Sequence, residues 1–240
     1  MSVNQNQICN DTFSAAIVEA KNYNRWIVDF YNQYLKGDIL EIGVGHGSFI
    51  DYIPSTISSY TGFDIDYTLI EYAQNRNPNG KYICGDLSDK SFFTKMNDQK
   101  FDAILCINVL EHIPNHVAAL QNMLSVLKPN GVILLFIPAF MSLYQDMDHL
   151  AGHERRYVIK DIKKLCNLTN SNIKKWNYFN AIGGVGWWIN KFKKHSDLNA
   201  PNINKQILLF EKYILPFSKM MQPITCKLFG QSLYVVIQNN

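Results

Sequence analysis

Apolar residues recur at two different spacings along this chain, and the spacing switches repeatedly before residue 180. Five short runs are apolar enough to form buried strands, and they cover residues 38–42, 60–65, 81–84, 101–106 and 132–137. Segments with helical spacing lie beside them, at residues 11–35, 67–75, 115–127 and 158–168. This alternation predicts an α/β fold with a doubly wound, mostly parallel sheet.

The last third of the chain follows a different pattern. Residues 173–179 and 231–238 predict two more strands, which would bring the sheet to seven. Between them, residues 181–229 contain a glycine-rich stretch, two adjacent tryptophans and a segment with a broad apolar face at 202–221. We expect a helical insertion there, with Pro216 bending or ending its long helix.

A turn with three glycines at alternate positions, Gly43, Gly45 and Gly47, follows the first strand. Glycine tolerates positive φ and lets the backbone approach a ligand closely. Residues 49–53 have helical spacing, so amide groups at a helix start should also face that ligand. A dinucleotide fingerprint would need glycine at Ser48, and the observed pattern is instead E-x-G-x-G-x-G, beginning at Glu41.

Polar residues stand at the ends of the next three predicted strands, where open α/β sheets bind ligands. Asp64 ends the second strand, and its two oxygens can accept both hydroxyl hydrogens of a ribose. Asp86 follows the third strand and can accept from an adenine amino group, and Asn108 follows the fourth. The structural alternatives are a helix N-cap for Asp64 and a turn for Asp86.

The glycine pattern resembles motif I of the class I S-adenosylmethionine (SAM) dependent methyltransferases. Residues 101–113 resemble the family's F-D-x-I-x-x-x-x-V-L-E-H segment, and residues 127–131 resemble its L-K-P-G-G turn, with Asn130 for the first glycine. Residues 22–26 (N-Y-N-R-W) and 152–157 (G-H-x-R-R-Y) are similar to one bacterial branch that often accompanies sugar- and natural-product-modifying enzymes. That branch shares no single substrate.

The resemblance implies a Rossmann-like seven-stranded sheet with an antiparallel last strand, and SAM as cofactor with S-adenosylhomocysteine (SAH) as product. It implies methyl transfer to a small-molecule acceptor, with an oxygen of a sugar or natural-product intermediate preferred. The alternatives are N- or C-methylation of a small molecule or peptide, and a non-catalytic SAM-binding module. The implied cofactor-binding residues are Tyr23, Glu41, Gly43, Val44, Gly45, Gly47, Asp64, Ile65, Asp86, Leu87 and Asn108.

The loop at residues 140–157 leaves the fifth strand at the expected ligand edge and is rich in titratable groups. Among candidate bases we prefer His153, with His149 and His112 as the others. His149 and His153 are four residues apart, but without an H-E-x-x-H pattern or a cysteine cluster we expect no metal. The predicted acceptor contacts are Tyr144, Arg155, Arg156, Trp187 and Trp188. The alternative is a loop held by its own ion pairs beside an aromatic core.

Composition limits the number of domains, the cellular compartment and the partners, but it identifies no reaction. The 240 residues fit one domain, with N-terminal helices at 1–36 and a helical insertion at 181–229 that either lids the acceptor site or packs on the sheet. Five scattered cysteines indicate reduced thiols and a cytoplasmic protein. The net charge of +3 and the lack of an Asn/Asp-Pro-Pro-Tyr motif disfavour nucleic acid. We expect a monomer or homodimer, with membrane contact by the insertion as a minor alternative.

Overall fold

A computed structural model describes residues 20–96, 98–191 and 201–239. The predicted helical residues 11–19 and residues 192–200 of the insertion lie outside the described residues. Within them, the first helix is α1, Lys21–Asp29, which buries Trp26, Ile27 and Val28 against the sheet.

Seven strands form one sheet in the order β3-β2-β1-β4-β5-β7-β6. They are β1 Asp38–Ile42, β2 Ser59–Asp64, β3 Lys81–Cys84, β4 Phe101–Ile107, β5 Leu127–Pro138, β6 Ser171–Phe179 and β7 Ser232–Asn239. Strands β1 to β5 are parallel, and β7 runs antiparallel between β5 and β6. The predicted doubly wound sheet with an antiparallel last strand is confirmed.

Helices pack on both faces of this sheet and enclose two apolar cores. The α-helices between β2 and β6 are α2 Tyr67–Arg76, α3 Lys90–Lys95, α4 His116–Ser125, α5 Asp146–Leu150 and α6 Ile159–Leu168. Helix α3 was not predicted from the sequence, although Asp89 caps it by accepting a hydrogen bond from the Ser91 amide.

The predicted helix over residues 49–53 is wrong. The structure has only a 3₁₀ turn, Ile50–Tyr52, at this place. Pro54 follows, and the residue before a proline is driven out of the helical region, so Ile53 is extended with φ −69° and ψ 130°. The glycine turn therefore offers its own backbone to a ligand without a long helix behind it.

Register brings the carboxyl ends of the parallel strands to one edge of the sheet, here called the carboxyl edge. Pro138 of β5 pairs with Ser232 of β7, and Ser232 pairs with Phe179 of β6. The end of β6 and the start of β7 therefore join the ends of β1, β2 and β4 at this edge.

The insertion between β6 and β7 starts at this edge. It comprises α7 Ala181–Asn190, α8 Pro201–Leu209, a π-helical turn Phe210–Ile214 and α9 Leu215–Thr225. Gln222 of α9 fixes it there, because its side chain accepts from the Asn180 amide at 2.9 Å and donates to the Tyr178 carbonyl at 2.7 Å. The chain stays helical through Pro216, and the irregularity is the π-helical turn just before it.

None of the described helices combines the length and the apolar character needed to cross a bilayer.

Candidate active site

The glycine turn is fastened to the end of β2. Gly43, Gly45 and Gly47 have φ values of 73°, 51° and 69°. The amides of Gly43 and Val44 donate to the Phe63 carbonyl at 2.7 and 3.0 Å. The Gly45 amide donates to the Asp64 carboxylate at 2.9 Å. Val44 itself is buried beneath the turn, so its side chain belongs to the core.

The three glycines are needed for different reasons. A Cβ at Gly43 would lie 2.2 Å from a methyl carbon of Val109, and a Cβ at Gly47 would lie 2.8 Å from Ile50. At Gly45 a Cβ would meet only the Gly43 carbonyl oxygen, at 3.9 Å. The space above Gly45 is therefore open, which fits a ligand lying along this backbone.

Asp64 and Ile65 border that open space at the end of β2. The Asp64 carboxylate accepts from the amides of Gly45 and Asp66, and it is 7% exposed. Burial raises the pKa of Asp64, while hydrogen bonds from neighbouring amides oppose the rise. Ile65 is 69% exposed, an unusual condition for a large apolar side chain at a strand end. It offers a surface for a flat apolar group.

Three further predicted cofactor residues follow β3 and β4, and two of them are exposed while the third is buried. Asp86 is exposed, and its carboxylate caps the turn by accepting from the amide and hydroxyl of Ser88 at 2.8 and 2.7 Å. Asn108 is exposed at the end of β4 with φ 51°. Leu87 is in the core, so only its backbone can reach the carboxyl edge.

Tyr23 lies at the same edge beside the insertion. Its ring packs edge-on against Phe179 and Phe210, and burial raises its pKa to about 12. Side chains of Asn180 and Ser232 hydrogen bond to it. Tyr23 thus links α1 to the end of β6.

Glu41 does not face the open space. It is 2% exposed, and its carboxylate accepts from the Tyr60 hydroxyl at 2.7 Å. Burial raises the pKa of Glu41 to about 8. The sequence predicted cofactor contact for this residue, and the structure instead gives it a place inside the fold below the turn.

This buried acid predicts a pH dependence of stability. A carboxyl with a pKa of about 8 in the folded protein, against 4.5 unfolded, keeps its proton between those values only when folded. The free energy of unfolding should therefore fall by on the order of a few kcal/mol as pH rises from 5 to 8. Urea unfolding of Glu41→Gln should show a smaller fall than the unsubstituted protein, and an identical pH dependence would contradict the assignment.

A second group of side chains lies in the loop after β5. His153 Nδ1 is 2.8 Å from the Asp148 carboxylate. The same carboxylate accepts from Arg156 Nε at 2.7 Å, from Arg156 Nη2 at 3.0 Å and from the backbone amide of Gln145 at 3.1 Å. An Nδ1–H that donates to Asp148 leaves the lone pair on His153 Nε2.

His153 Nε2 faces two residues of the 3₁₀ turn Leu110–His112, which follows β4. It lies 3.9 Å from Glu111 Oε1, and the rings of His153 and His112 are 4.8 Å apart. Glu111 is fully buried, and within residues 20–96, 98–191 and 201–239 no other residue hydrogen bonds to its carboxylate oxygens. Burial raises the pKa of Glu111 to about 7 and, together with His153, lowers the pKa of His112 to about 4. Glu111 was not among the predicted site residues.

The other predicted loop residues have different places. Gly152, with φ 75°, turns the chain out of α5, so His149 stays on the helix, exposed, and does not share a helix face with His153. The prediction that Arg156 binds the acceptor is wrong, because this side chain is buried and its donors bind Asp148 and the Ala139 carbonyl. Arg155 donates to the carbonyls of Ile113 and Pro114.

Tyr144 and the tryptophans complete this side of the edge. The Tyr144 hydroxyl donates to the His153 carbonyl at 2.7 Å, which fixes the backbone of the candidate base. Trp187 is half-buried, donates to the Leu143 carbonyl at 3.1 Å and packs under the Arg156 guanidinium. Trp188 is 50% exposed. The insertion and the loop after β5 are therefore in direct contact.

Comparison with known proteins agrees with this geometry. Residues 40–135 match a family model described as a methyltransferase domain. Those residues belong to the class I SAM-dependent methyltransferases. A SAM-dependent methyltransferase from Archaeoglobus fulgidus has the same fold, with a TM-score of 0.61 over 92% of this chain and 94% of that one at 15% identity. The matched segment of the methyltransferase domain contains the glycine turn, Asp64 and Glu111.

Two further similarities concern sequence and fold. A ubiquinone biosynthesis O-methyltransferase from Coxiella burnetii (strain RSA 493 / Nine Mile phase I) is 32% identical over 102 residues, which is 40% of this chain and 42% of that protein. This methyltransferase domain thus aligns with less than half the length of that relative. The plantazolicin methyltransferase BamL, solved with SAH and a triazolic desmethylPZN analogue, has a TM-score of 0.57 at 16% identity, covering 94% of this chain and 86% of that one.

Proposed function

We propose that this chain binds SAM over its glycine turn and transfers the methyl group to an oxygen of a small molecule. The observation that carries the proposal is the open backbone at Gly45 beside Asp64, inside a methyltransferase domain. The preference for oxygen is supported by the O-methyltransferase relatives. The finer assignment, an oxygen of a sugar or natural-product intermediate, comes from the segments at residues 22–26 and 152–157.

The residues bordering the open space would divide the cofactor between them. The free lone pairs of Asp64 would accept the ribose hydroxyls, and the exposed Ile65 would cover the adenine. Asp86, exposed after β3, would accept from the adenine amino group, although Ser88 already occupies part of its carboxylate. Asn108, at the end of β4, would line the methionine part of the cofactor.

SAM supplies an activated methyl group on a sulfonium. Transfer to a hydroxyl is one in-line displacement, in which an O–CH₃ bond forms, the S–CH₃ bond breaks and the sulfonium becomes the thioether of SAH. The hydroxyl proton must go to a base, and His153 Nε2 has the free lone pair for it. Asp148 holds the ring in that tautomer and Tyr144 holds its backbone, so the base is oriented in advance.

Loss of the Asp64 carboxylate should weaken cofactor binding. Asp64→Ala leaves ribose hydroxyls unpaired, at a cost of about 1–3 kcal/mol, or roughly 5- to 150-fold in the Kd for SAH. Asp64→Asn keeps one acceptor oxygen and should lose less. Calorimetry with SAH measures both, and Asp98→Ala, an exposed acid before β4, is the matched control. Unsubstituted affinity in a folded Asp64→Ala protein would refute the ribose contact.

We assign the insertion a lid role over the acceptor, because α7 and α9 are fixed at the carboxyl edge. Trp188→Ala should then raise the KM for the acceptor several-fold while the Kd for SAH stays unchanged. Leu168→Ala removes an equally exposed apolar side chain at the opposite edge and serves as the control. If the two substitutions change the KM equally, the insertion only stabilises the fold and does not act as a lid.

Two alternatives keep the same cofactor site. Acceptor nitrogen or carbon would also suit the fold, and a SAM-binding module without turnover would retain the glycine turn. A single-turnover assay with methyl-labelled SAM against hydroxyl, amine and activated-carbon acceptors separates these cases. We place the reaction in the cytoplasm, since Cys84, Cys106, Cys166 and Cys226 are free thiols.

A further inference from the structure

Three metal-binding side chains converge where the loop after β5 meets the end of β4. Glu111, His112 and His153, the Glu111 cluster, each place one potential ligand atom within 4.8 Å of the others. We propose that the Glu111 cluster binds a divalent transition-metal cation. The sequence predicted no metal, because the pair His149 and His153 lacks an H-E-x-x-H pattern and a cysteine cluster. In the fold, His153 lies instead beside Glu111 and His112, which are 42 and 41 positions upstream of it.

The strongest observation is the condition of Glu111. Its carboxylate is fully buried, yet no other described residue donates a hydrogen bond to either oxygen, and only the backbone amide of Glu111 itself is close enough to interact. Buried carboxylates are normally paired, because an unpaired one loses its hydration without compensation. Arg156 does not serve as that partner, since its donors bind Asp148 and the Ala139 carbonyl. A cation held between Glu111 and the two imidazoles would supply what is missing.

Both histidines are arranged as metal ligands usually are. His153 Nδ1 is bound to the Asp148 carboxylate, and His112 Nδ1 lies 3.2 Å from the Gly152 carbonyl, while the Asn108 backbone is a second hydrogen-bond partner of the His112 ring. Carboxylates and backbone carbonyls on the far ring nitrogen fix the tautomer whose other nitrogen binds metal. Ligand atoms around zinc or manganese stand roughly 3 Å apart, so the Glu111 cluster, with His153 Nε2 and Glu111 Oε1 3.9 Å apart and all three ligand atoms within 4.8 Å, would have to contract on binding a cation.

Two imidazoles and one carboxylate suit zinc, manganese or iron(II), and they leave coordination positions open. In the context of the proposed function, on which this step rests, an acceptor hydroxyl could take an open position. The cation would lower the pKa of that hydroxyl and hold its oxygen in place. His153 Nε2 would then be a ligand, and the proton would leave to solvent instead of to His153.

Cobalt(II) tests the site directly, because its visible absorption reports nitrogen ligands. The full chain, without SAM, should bind one equivalent of Co²⁺ with a saturable visible spectrum. Glu111→Gln keeps the shape of the side chain and should weaken binding about 100-fold or more. His149→Ala, four residues from His153 but outside the cluster, should bind as the unsubstituted protein does. Circular dichroism and SAH calorimetry on each variant confirm folding.

Manganese(II) gives a second test that needs no variant. In NMR spectra of the unsubstituted protein, Mn²⁺ should broaden the ring protons of His112 and His153 before those of His149.

Absence of saturable binding at millimolar Co²⁺, or loss of binding in His149→Ala with Glu111→Gln unaffected, would overturn the proposal and indicate adventitious surface binding. SAH binding is measured separately, so failure of the metal site and failure of the proposed function are distinguishable.

Discussion

Asp148→Ala is expected to lower the free energy of unfolding by about 3–5 kcal/mol, because it leaves Arg156 charged and buried without its partner. Asp148 is fully buried, and Arg156 is 4% exposed. Two guanidinium nitrogens bind the carboxylate in a fork. The pKa of Asp148 is lowered, since the bonds from His153 and Arg156 outweigh burial, so the lost group is the charged carboxylate.

Asp146→Ala is the matched control for this substitution. Asp146 begins the same short helix, α5, but is exposed, so its loss should change stability by less than about 0.5 kcal/mol. Urea unfolding followed by fluorescence measures both. If Asp148→Ala unfolds at the same urea concentration as Asp146→Ala, the buried ion pair contributes nothing, and our account of how the loop after β5 is held is wrong.

His153→Ala should have the largest effect on the proposed reaction. We expect kcat to fall by about 10²–10⁴. The Kd for SAH should stay unchanged, because the imidazole packs against Asp148, Glu111 and His112 in the loop after β5 and the turn after β4. The expected loss is the same whether Nε2 takes the proton or holds a cation. His149→Ala, which removes an exposed histidine of the same loop, should keep its kcat.

The comparison needs an acceptor identified by the single-turnover screen. A His153→Ala protein that turns over at the unsubstituted rate across the pH range would remove both roles from this residue. Loss of SAH binding in the same variant would instead mean that the loop after β5 supports the cofactor.

The cofactor side of the site could be predicted because its signals are local in the sequence. Three glycines at alternate positions after an apolar run, and acids at strand ends, each depend on a few adjacent residues. The parallel order then brings Gly45 and Asp64 together at one edge. The sequence pattern could not exclude Glu41, since only the position of Tyr60 on the neighbouring strand shows that its carboxylate is already bound.

The acceptor side was harder because its contacts are distant in sequence. In the sequence, Arg155 and Arg156 are adjacent charged residues that cannot be told apart. Only the fold shows that Arg156 is buried against Asp148, while Arg155 binds carbonyl groups 41 and 42 residues away. Glu111 stood in the family-like V-L-E-H segment, but nothing local signals that its carboxylate would be buried opposite His153. Pro54 is a local signal against the predicted helix at 49–53, because a proline drives the residue before it out of the helical region.

A crystal structure of the protein with SAH tests the central claim most directly. We predict SAH along the backbone of the glycine turn, with its ribose hydroxyls on Asp64, its adenine against Ile65 and its sulfur directed toward Asn108 and the Glu111 cluster. SAH bound elsewhere on the chain, or a glycine turn left empty at saturating SAH, would contradict the account.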